Sequence, residues 1–338
     1  MTSEQRDFIE RLKPDAVVRE LSGGENSTVF LCDDLIVRFP KSDRAAGDYE
    51  KEAALSSAIR QRSSYLAQYV PDVHMEERNG LTAAVHHEIS GKTLVDRKPS
   101  DDRNTHFDSL SDEARKGLAA DLGKFLAELH AVSLEGIDEK FLVSRQPGFQ
   151  YQEDDDFYEK NKKLYEERGV PYEKYKCDMD RTDMVLCHND FQGGNFTVNE
   201  CGRLSGVFDF GEMGKNYRAR DFLSLYNFSR KFARDVVASY NECSDTKVSM
   251  REIDFHHLNR MAEFPRYAEK HNRPDLLPYF EKNLNAFCAD VKAEKLENDL
   301  CRVRGKVQQK ESCPSDNFSS EKKSVVLCLY KQITDKER

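Results

Sequence analysis

The chain has 338 residues, of which 38% are hydrophobic and 33% are charged. This composition is typical of a folded, water-exposed protein, and the length is enough for two domains or lobes. No run of about 18 apolar residues occurs and the first residues are polar, so we expect a cytoplasmic protein with no membrane contact. The net charge of 52 − 61 = −9 argues against a nucleic-acid partner, which needs a basic surface.

The nine cysteines are widely spaced, and no Cys-x-x-Cys pair is present. A structural zinc site normally requires such close ligand pairs. We therefore interpret the cysteines as reduced thiols that mostly fill space in the core. The pattern leaves the oligomeric state open.

Residues 1–90 have the pattern of a small antiparallel sheet that carries one helix. Strands are predicted at 17–21, 29–32, 35–39 and 81–89. Pro40 ends the third strand, because proline cannot donate a backbone hydrogen bond. Alanine, leucine and isoleucine at helical spacing predict the helix over 45–60.

Residues 91–291 are predicted to be mainly helical. Helices are expected at 114–132, 217–241 and 252–290, with short strands at 184–187 and 206–210. The very polar stretch 151–183 is interpreted as a partly helical insertion. Residues 292–338 change in composition and form a tail whose role the sequence leaves open.

The strongest chemical signal is the pair of segments His188-Asn-Asp-Phe-Gln-Gly-Gly-Asn195 and Val207-Phe-Asp-Phe-Gly-Glu212. A carboxylate beside an acceptor hydroxyl can orient it and take its proton, a role that suits Asp190. Magnesium prefers hard oxygen ligands, which the amide of Asn195 and the carboxylate of Asp209 supply. The pattern therefore indicates phosphoryl transfer, in which positioning and charge neutralisation do most of the work.

Two glycines, Gly193 and Gly194, precede Asn195, and we expect them to permit a tight turn there. Asp209 lies 14 residues after Asn195, within an Asp-Phe-Gly tripeptide at the end of an apolar run. That spacing matches the protein-kinase pattern.

In this form the loop resembles the aminoglycoside phosphotransferase and choline-kinase-like families, in motif order over roughly residues 17–290. The resemblance implies a two-lobed α+β fold of the protein-kinase type. It also implies a nucleotide-binding lobe at 1–90, a catalytic and substrate lobe at 91–291, and Mg²⁺ with ATP or GTP between them. In the same families His188 is a supporting residue, and an acid at the position of Asp221 braces the catalytic loop through its backbone amides. His130 is expected to pack or to brace the loop.

The resemblance also assigns roles in the first lobe. Gly23, Gly24 and Ser27 belong to a segment that looks like the phosphate-covering loop. Arg38 takes the place of the basic residue that binds the α- and β-phosphates, and Glu52 looks like its helical partner. Glu88 and Ile89 lie in the segment that links the lobes, where backbone groups can bind the edge of the nucleotide base.

The acceptor is expected to be a small hydroxyl-bearing molecule, most of all an aminoglycoside-type antibiotic. Candidate contacts for such a polycation are the acids Asp154, Asp155, Asp156 and Glu212. An amino alcohol, a sugar or a macrolide remains an alternative, as does a non-catalytic nucleotide-binding pseudokinase. Asp209 is followed too closely by Asp221 for a long activation segment, which disfavours a protein kinase.

Overall fold

The computed structural model describes residues 1–21, 26–95, 105–144, 155–177, 184–270, 272–278 and 280–293. Gly23, Gly24 and Asp154 lie outside the described residues, as do the side chains of Asp155 and Asp156 and the tail beyond residue 293. The chain divides into two units, Met1–Asp290 and Val291–Arg338, and the elements described below belong to the first. Within these ranges, no helix is long and apolar enough to cross a membrane.

The first lobe is built on a five-stranded antiparallel sheet. Its strands are β1 (Val18–Leu21), β2 (Ser27–Cys32), β3 (Leu35–Pro40), β4 (His74–Arg78) and β5 (Leu81–His87), in the spatial order β1-β2-β3-β5-β4. The sequence predicted four of these strands and missed β4, which has charged residues at most of its positions. Central strand β3 pairs with β2 and β5, which sets Arg38 opposite Ala84.

A helix covers each face of this sheet. Helix α1 (Ser3–Leu12) begins at a capping box formed by Thr2 and Gln5, and it buries Phe8 against Phe30 and Phe39. Helix α2 (Asp43–Arg62) covers the other face and packs Tyr49 near Ala84. Because side chains alternate along a strand, Val37 and Phe39 point to α1, whereas Arg38 points to α2. The sequence analysis predicted only one helix in this lobe and missed α1.

The second lobe is mainly helical. Its helices are α3 (Thr105–Ser109), α4 (Asp112–His130), α5 (Glu139–Leu142), α6 (Asp155–Glu166), α7 (Arg230–Cys243) and α8 (Met250–Lys270). Its strands are β6 (Lys92–Thr93), β7 (Met184–Cys187), β8 (Phe196–Val198), β9 (Leu204–Val207) and β10 (Gly214–Tyr217). Strand β10 pairs antiparallel with β7, and β8 lies between β6 and β9. Helix α6 lies within the polar stretch 151–183, which is therefore helical in part.

Two predicted helices are interrupted, so both predictions were wrong in length. The helix expected at 217–241 is a 3-10 helix, Arg218–Asn227, followed by α7, which begins where the hydroxyl of Ser229 accepts the amide N–H of Phe232. The helix expected at 252–290 stops at Lys270 and resumes beyond Pro274. Proline disfavours a helical conformation in the residue before it, which accounts for this break.

The strand predicted at 206–210 was also placed too far along the chain. Strand β9 covers Leu204–Val207, and Asp209 has a φ of 67°, in the left-handed region that a strand cannot contain. The strand predicted at 81–89 likewise ends earlier, at His87.

Helices α4 and α7 pack at unusually short range through Gly123. A Cβ atom at this position would lie 2.6 Å from the backbone nitrogen of Tyr240 and 2.6 Å from the carbonyl oxygen of Val236. Both neighbours are backbone atoms, so a side chain can be accommodated only if the two helices separate.

We expect Gly123→Ala to lower the free energy of unfolding by about 1–3 kcal/mol through this overpacking. Gly47→Ala is the matched control, because Gly47 lies in α2 with no neighbouring atom within 4 Å of a Cβ. It should stabilise the protein by roughly 0.5–1 kcal/mol through helix propensity. Denaturant unfolding measures both, and equal effects of the two variants would contradict this account of the α4–α7 contact.

Candidate active site

The loop between β7 and β8 is held by the buried carboxylate of Asp221. One carboxylate oxygen accepts the backbone N–H of His188 at 2.8 Å, and the other accepts that of Asn189 at 2.8 Å. The Nε2 atom of His130 lies 3.1 Å from the same carboxylate. Burial alone would raise the pKa of Asp221, but the hydrogen bond from His130 and the neighbouring histidine and amide groups outweigh it, and the net pKa is lowered. Asp221 is thus an ionised anchor for the loop.

Asn189 and Asn216 are site residues that the sequence analysis missed. Asn189 has a φ of 66°, a left-handed conformation that asparagine tolerates better than most residues. Its side-chain amide donates to the carbonyl oxygen of Glu212 at 2.9 Å and accepts from Nδ2 of Asn216 at 2.8 Å. The signal available in the sequence was the asparagine between the histidine and aspartate of the motif. Its side chain joins the loop to the segment after Asp209.

Asp190 and Asn195 are in direct contact. The Nδ2 atom of Asn195 donates to Oδ2 of Asp190 at 2.8 Å and to the Asp190 backbone carbonyl at 2.9 Å. Gln192 donates to the same carboxylate oxygen at 3.0 Å. Burial raises the pKa of the Asp190 carboxyl, and the Asp209 carboxylate raises it further, against the opposing effect of His188. The carboxyl group is therefore more basic than an ordinary aspartate.

Gly193 and Gly194 lie at the centre of the expected tight turn, which the backbone N–H of Asn195 closes by donating to the Gln192 carbonyl at 2.8 Å, and neither glycine has a positive φ. A Cβ at Gly193 would lie 2.5 Å from the ring of Phe228 and 2.8 Å from Val95, whereas a Cβ at Gly194 would meet nothing within 4 Å. Gly193 is thus required by close packing. The space beside Gly194 is open immediately before Asn195.

Asp209 is exposed and lies beside this loop. The backbone N–H of Phe208 donates to the carbonyl of Asn195 at 2.9 Å, and Nε2 of His188 lies 3.1 Å from the Phe208 carbonyl. The left-handed conformation of Asp209 turns the chain into a short 3-10 helix, Phe210–Glu212. Its negative charge acts on Asp190 and also on the Arg38 guanidinium, so the structure brings these three groups together.

Arg38 and Glu52 form a buried ion pair beneath the same region. The Nη2 atom of Arg38 lies 2.7 Å from Oε2 of Glu52, and the guanidinium stacks 4.8 Å from the ring centre of Tyr49. Burial opposes the charged guanidinium, but the negative charges of Glu52 and Asp209 and the nearby Tyr49 outweigh it and raise the pKa of Arg38. The negative charge of Asp209 therefore acts on a cation that Glu52 holds in place.

The remaining predicted contacts are spread around this centre. Ser27 opens β2 opposite Pro40. The backbone N–H of Glu88 donates to the carbonyl of Asp34 at 2.7 Å, and Ile89 follows it. Glu212 is half-buried, and its carbonyl accepts from Asn189. Glu212 is the one predicted acceptor contact whose side chain lies among the described residues.

The side chains of His130, Cys187 and Asp221 cluster closely enough to suggest a metal site. However, burial raises the pKa of the Cys187 thiol well above its usual range, and the thiol hydrogen-bonds to the carbonyl oxygens of Asn216 and Tyr217. A metal would require the thiolate form of Cys187, and the His130 imidazole is already hydrogen-bonded to Asp221. The cluster is better explained as loop support.

The architecture defines a phosphotransferase of the protein-kinase-like fold, and comparisons with known proteins agree. The model of the phosphotransferase enzyme family matches residues 17–253, most of the chain. The chain belongs to this family, and it is a small-molecule phosphotransferase. The predicted fold and enzyme class are thereby confirmed.

Solved structures with this fold include a GDP complex of aminoglycoside 2'-phosphotransferase-IIIa, with a TM-score of 0.61 and 18% identity over 85% of this chain and 98% of that one. A ternary complex of APH(2")-IIa with streptomycin and ATP has a TM-score of 0.55 and 20% identity, covering 84% and 95%. Macrolide 2'-phosphotransferase type I has a TM-score of 0.59 and 14% identity, covering 85% and 98%. At such identities the likeness concerns the fold.

We expect Asp190→Asn to stabilise the protein at pH 7. Because the folded pKa is raised, the protonated carboxyl gives its full stabilisation below the unfolded value of 3.8, and this is lost as pH rises through the folded pKa. Asparagine removes that loss, and each kcal/mol regained should raise Tm by roughly 2–4 °C. Thermal unfolding between pH 4 and pH 8 tests this, with the exposed Glu200→Gln as control. A variant less stable than wild type at pH 7 would contradict the assignment.

Proposed function

We propose that the protein transfers the γ-phosphate of ATP or GTP to a hydroxyl group of a small molecule, and that this acceptor is an aminoglycoside-type antibiotic. The observation that carries this proposal is that the charge of Asp209 acts both on the Arg38 guanidinium, which Glu52 holds, and on the Asp190 carboxyl, which Asn195 and Gln192 hold. Phosphoryl transfer requires a cation for the phosphates and a carboxylate for the acceptor at one place, and these groups supply both.

Asp190 is the proposed base. Its raised pKa makes it a better proton acceptor than an ordinary aspartate, and the side chains of Asn195 and Gln192 fix one carboxylate oxygen. The other oxygen, Oδ1, would receive the hydrogen bond of the acceptor hydroxyl and then its proton. The Asp221 anchor maintains this orientation by holding the two residues before Asp190.

Arg38 is the proposed ligand of the α- and β-phosphates, oriented by its ion pair with Glu52. Ser27, with Gly23 and Gly24, would cover the phosphates from the β1–β2 connection. The backbone amide of Glu88 already donates to Asp34. The nucleobase of ATP or GTP would therefore bind to the Glu88 carbonyl and the Ile89 amide. The chain would act as a cytoplasmic enzyme in this proposal.

Asp209 and Asn195 fit a magnesium ion as a donor set. The buried Asn195 side chain donates two hydrogen bonds through its nitrogen, so its amide oxygen would be the atom that binds the ion, and Asp209 offers an exposed carboxylate. When bound, the ion would neutralise charge on the phosphate oxygens.

We expect Asp190→Asn to reduce kcat by about 10²–10⁴-fold, because the general base is lost, while the nucleotide Kd changes little. Initial-rate kinetics and calorimetric titration with MgATP or MgGTP measure the two quantities. Glu200→Gln should retain wild-type values of both. Full turnover by Asp190→Asn would exclude Asp190 as the base.

We expect Asp209→Asn to raise the Mg²⁺ concentration needed for half-maximal activity by at least tenfold, because a carboxylate ligand is replaced by a neutral amide. Rates measured over a Mg²⁺ titration give this value. An unchanged requirement would remove Asp209 from the proposed metal site.

The acceptor is tested with kanamycin, a macrolide, choline and a set of simple sugars, each with ATP and with GTP. Transfer of a phosphoryl group to kanamycin, detected by mass spectrometry, is the expected result. Transfer to another class would retain the phosphotransferase and replace the acceptor. Nucleotide binding without transfer to any compound would favour the pseudokinase alternative.

A further inference from the structure

Lys51, the residue before Glu52 in α2, is buried, with only 5% of its surface exposed. Its Nζ atom donates to the backbone carbonyl of Val143 at 2.9 Å, across 92 residues of sequence. A buried ammonium group is unfavourable unless it is hydrogen-bonded. Its partner belongs to the catalytic lobe, directly after α5, so the bond joins α2 to the second lobe.

The segment that accepts this bond rests on the active-site strand β10. A Cβ atom at Gly214 would lie 2.9 Å from the carbonyl oxygen of Leu142 and 3.0 Å from the amide nitrogen of Ser144. The carbonyl of Gly214 in turn accepts from Asn189, which precedes the proposed base. A short series of backbone contacts therefore connects Lys51 to the catalytic loop.

Lys51 and Glu52 act from one turn of the same helix. Neighbouring side chains on a helix point about 100° apart, so Glu52 reaches Arg38 on β3 while Lys51 reaches the catalytic lobe. Rotation or translation of α2 would disturb both contacts together.

We propose that Lys51 is a positioning residue for phosphoryl transfer: it fixes the Glu52–Arg38 pair of the first lobe relative to Asp190 and Asp209 of the second. This inference rests on the proposed function. Lys51 contacts neither nucleotide nor acceptor in this role and acts through Glu52.

The chain contains a second hydrogen bond between α2 and the catalytic lobe, made by an exposed residue, which serves as a comparison. Arg62, at the other end of α2, donates from Nη2 to the backbone carbonyl of Glu135 at 2.7 Å. It lies ten residues from Glu52, roughly 15 Å along the helix. If Lys51 only strengthened the junction between the lobes, Lys51→Met and Arg62→Met should have the same effect on kcat.

The kinetic experiment compares Lys51→Met, Lys51→Arg, Arg62→Met and Glu52→Gln, and combines the two Met substitutions separately with Glu52→Gln. We expect Lys51→Met to lower kcat by about 10–100-fold with less than about a threefold change in nucleotide KM, because small misplacements of reacting groups are costly. Lys51→Arg, which keeps a donor, should recover part of kcat.

In the Glu52→Gln background, Lys51→Met should lower kcat by less than about a further threefold, because its effect passes through Glu52. Arg62→Met should lower Tm and leave kcat unchanged in either background. Equal behaviour of Lys51→Met and Arg62→Met, or additive losses at Lys51 and Glu52, would overturn the inference.

Hydrogen exchange of the full chain without nucleotide provides a readout that does not require activity. Lys51→Met should accelerate exchange in peptides spanning 43–62 and 210–217, whereas Arg62→Met should leave 210–217 unchanged. Unaltered exchange at 210–217 in Lys51→Met would overturn the inference, whether or not the wild-type protein transfers phosphate. If the wild-type protein transferred phosphate to none of the acceptors, that result would reject only the proposed function.

Discussion

The buried carboxylate of Asp221 is the constraint on which the site depends. Two backbone amides and one imidazole converge on it, so a charge inside the protein is compensated only when the loop adopts this conformation. His130 also meets the hydroxyl of Tyr240, 3.2 Å from its Nδ1 atom. The anchor thus extends to α4 and α7, whose close contact at Gly123 makes a rigid base. The loop itself contains a left-handed asparagine, a conformation that such external support maintains.

A second constraint is the accumulation of like charge that the chemistry requires. Asp190 and Asp209 raise each other's energy when both are ionised, which is one cause of the raised pKa at Asp190. Arg38 offsets part of this charge but is engaged with Glu52 in the first lobe. Stability is thus lost at the site, where a more basic carboxylate lies near a fixed cation, an arrangement typical of functional centres.

The sequence predicted those features that depend on local chemistry. The Asp-x4-Asn spacing, the short apolar run before Asp209 and the β2–β3 hairpin that carries Arg38 all involve neighbouring residues, and the fold inferred from them was confirmed. Features that depend on distant partners escaped prediction. Helix α1 is polar on one side and stable only against Phe30 and Phe39, and the bond from Lys51 to Val143 spans residues whose proximity no periodicity reveals.

The catalytic loop and the polar insertion are held by different kinds of structure. The β7–β8 loop, the turn at Asp209 and strand β3 have backbone hydrogen bonds that fix side-chain positions closely. The insertion, by contrast, is anchored through a buried polar network in which Asn161 and Tyr172 meet Asn259 of α8. Helices held by such networks can present different surfaces without altering the loop. Aminoglycoside and macrolide phosphotransferases with 14–20% identity to this chain share its fold. In the proposed function, the loop would carry out phosphoryl transfer, and the side chains that the helices present beside it would select the acceptor.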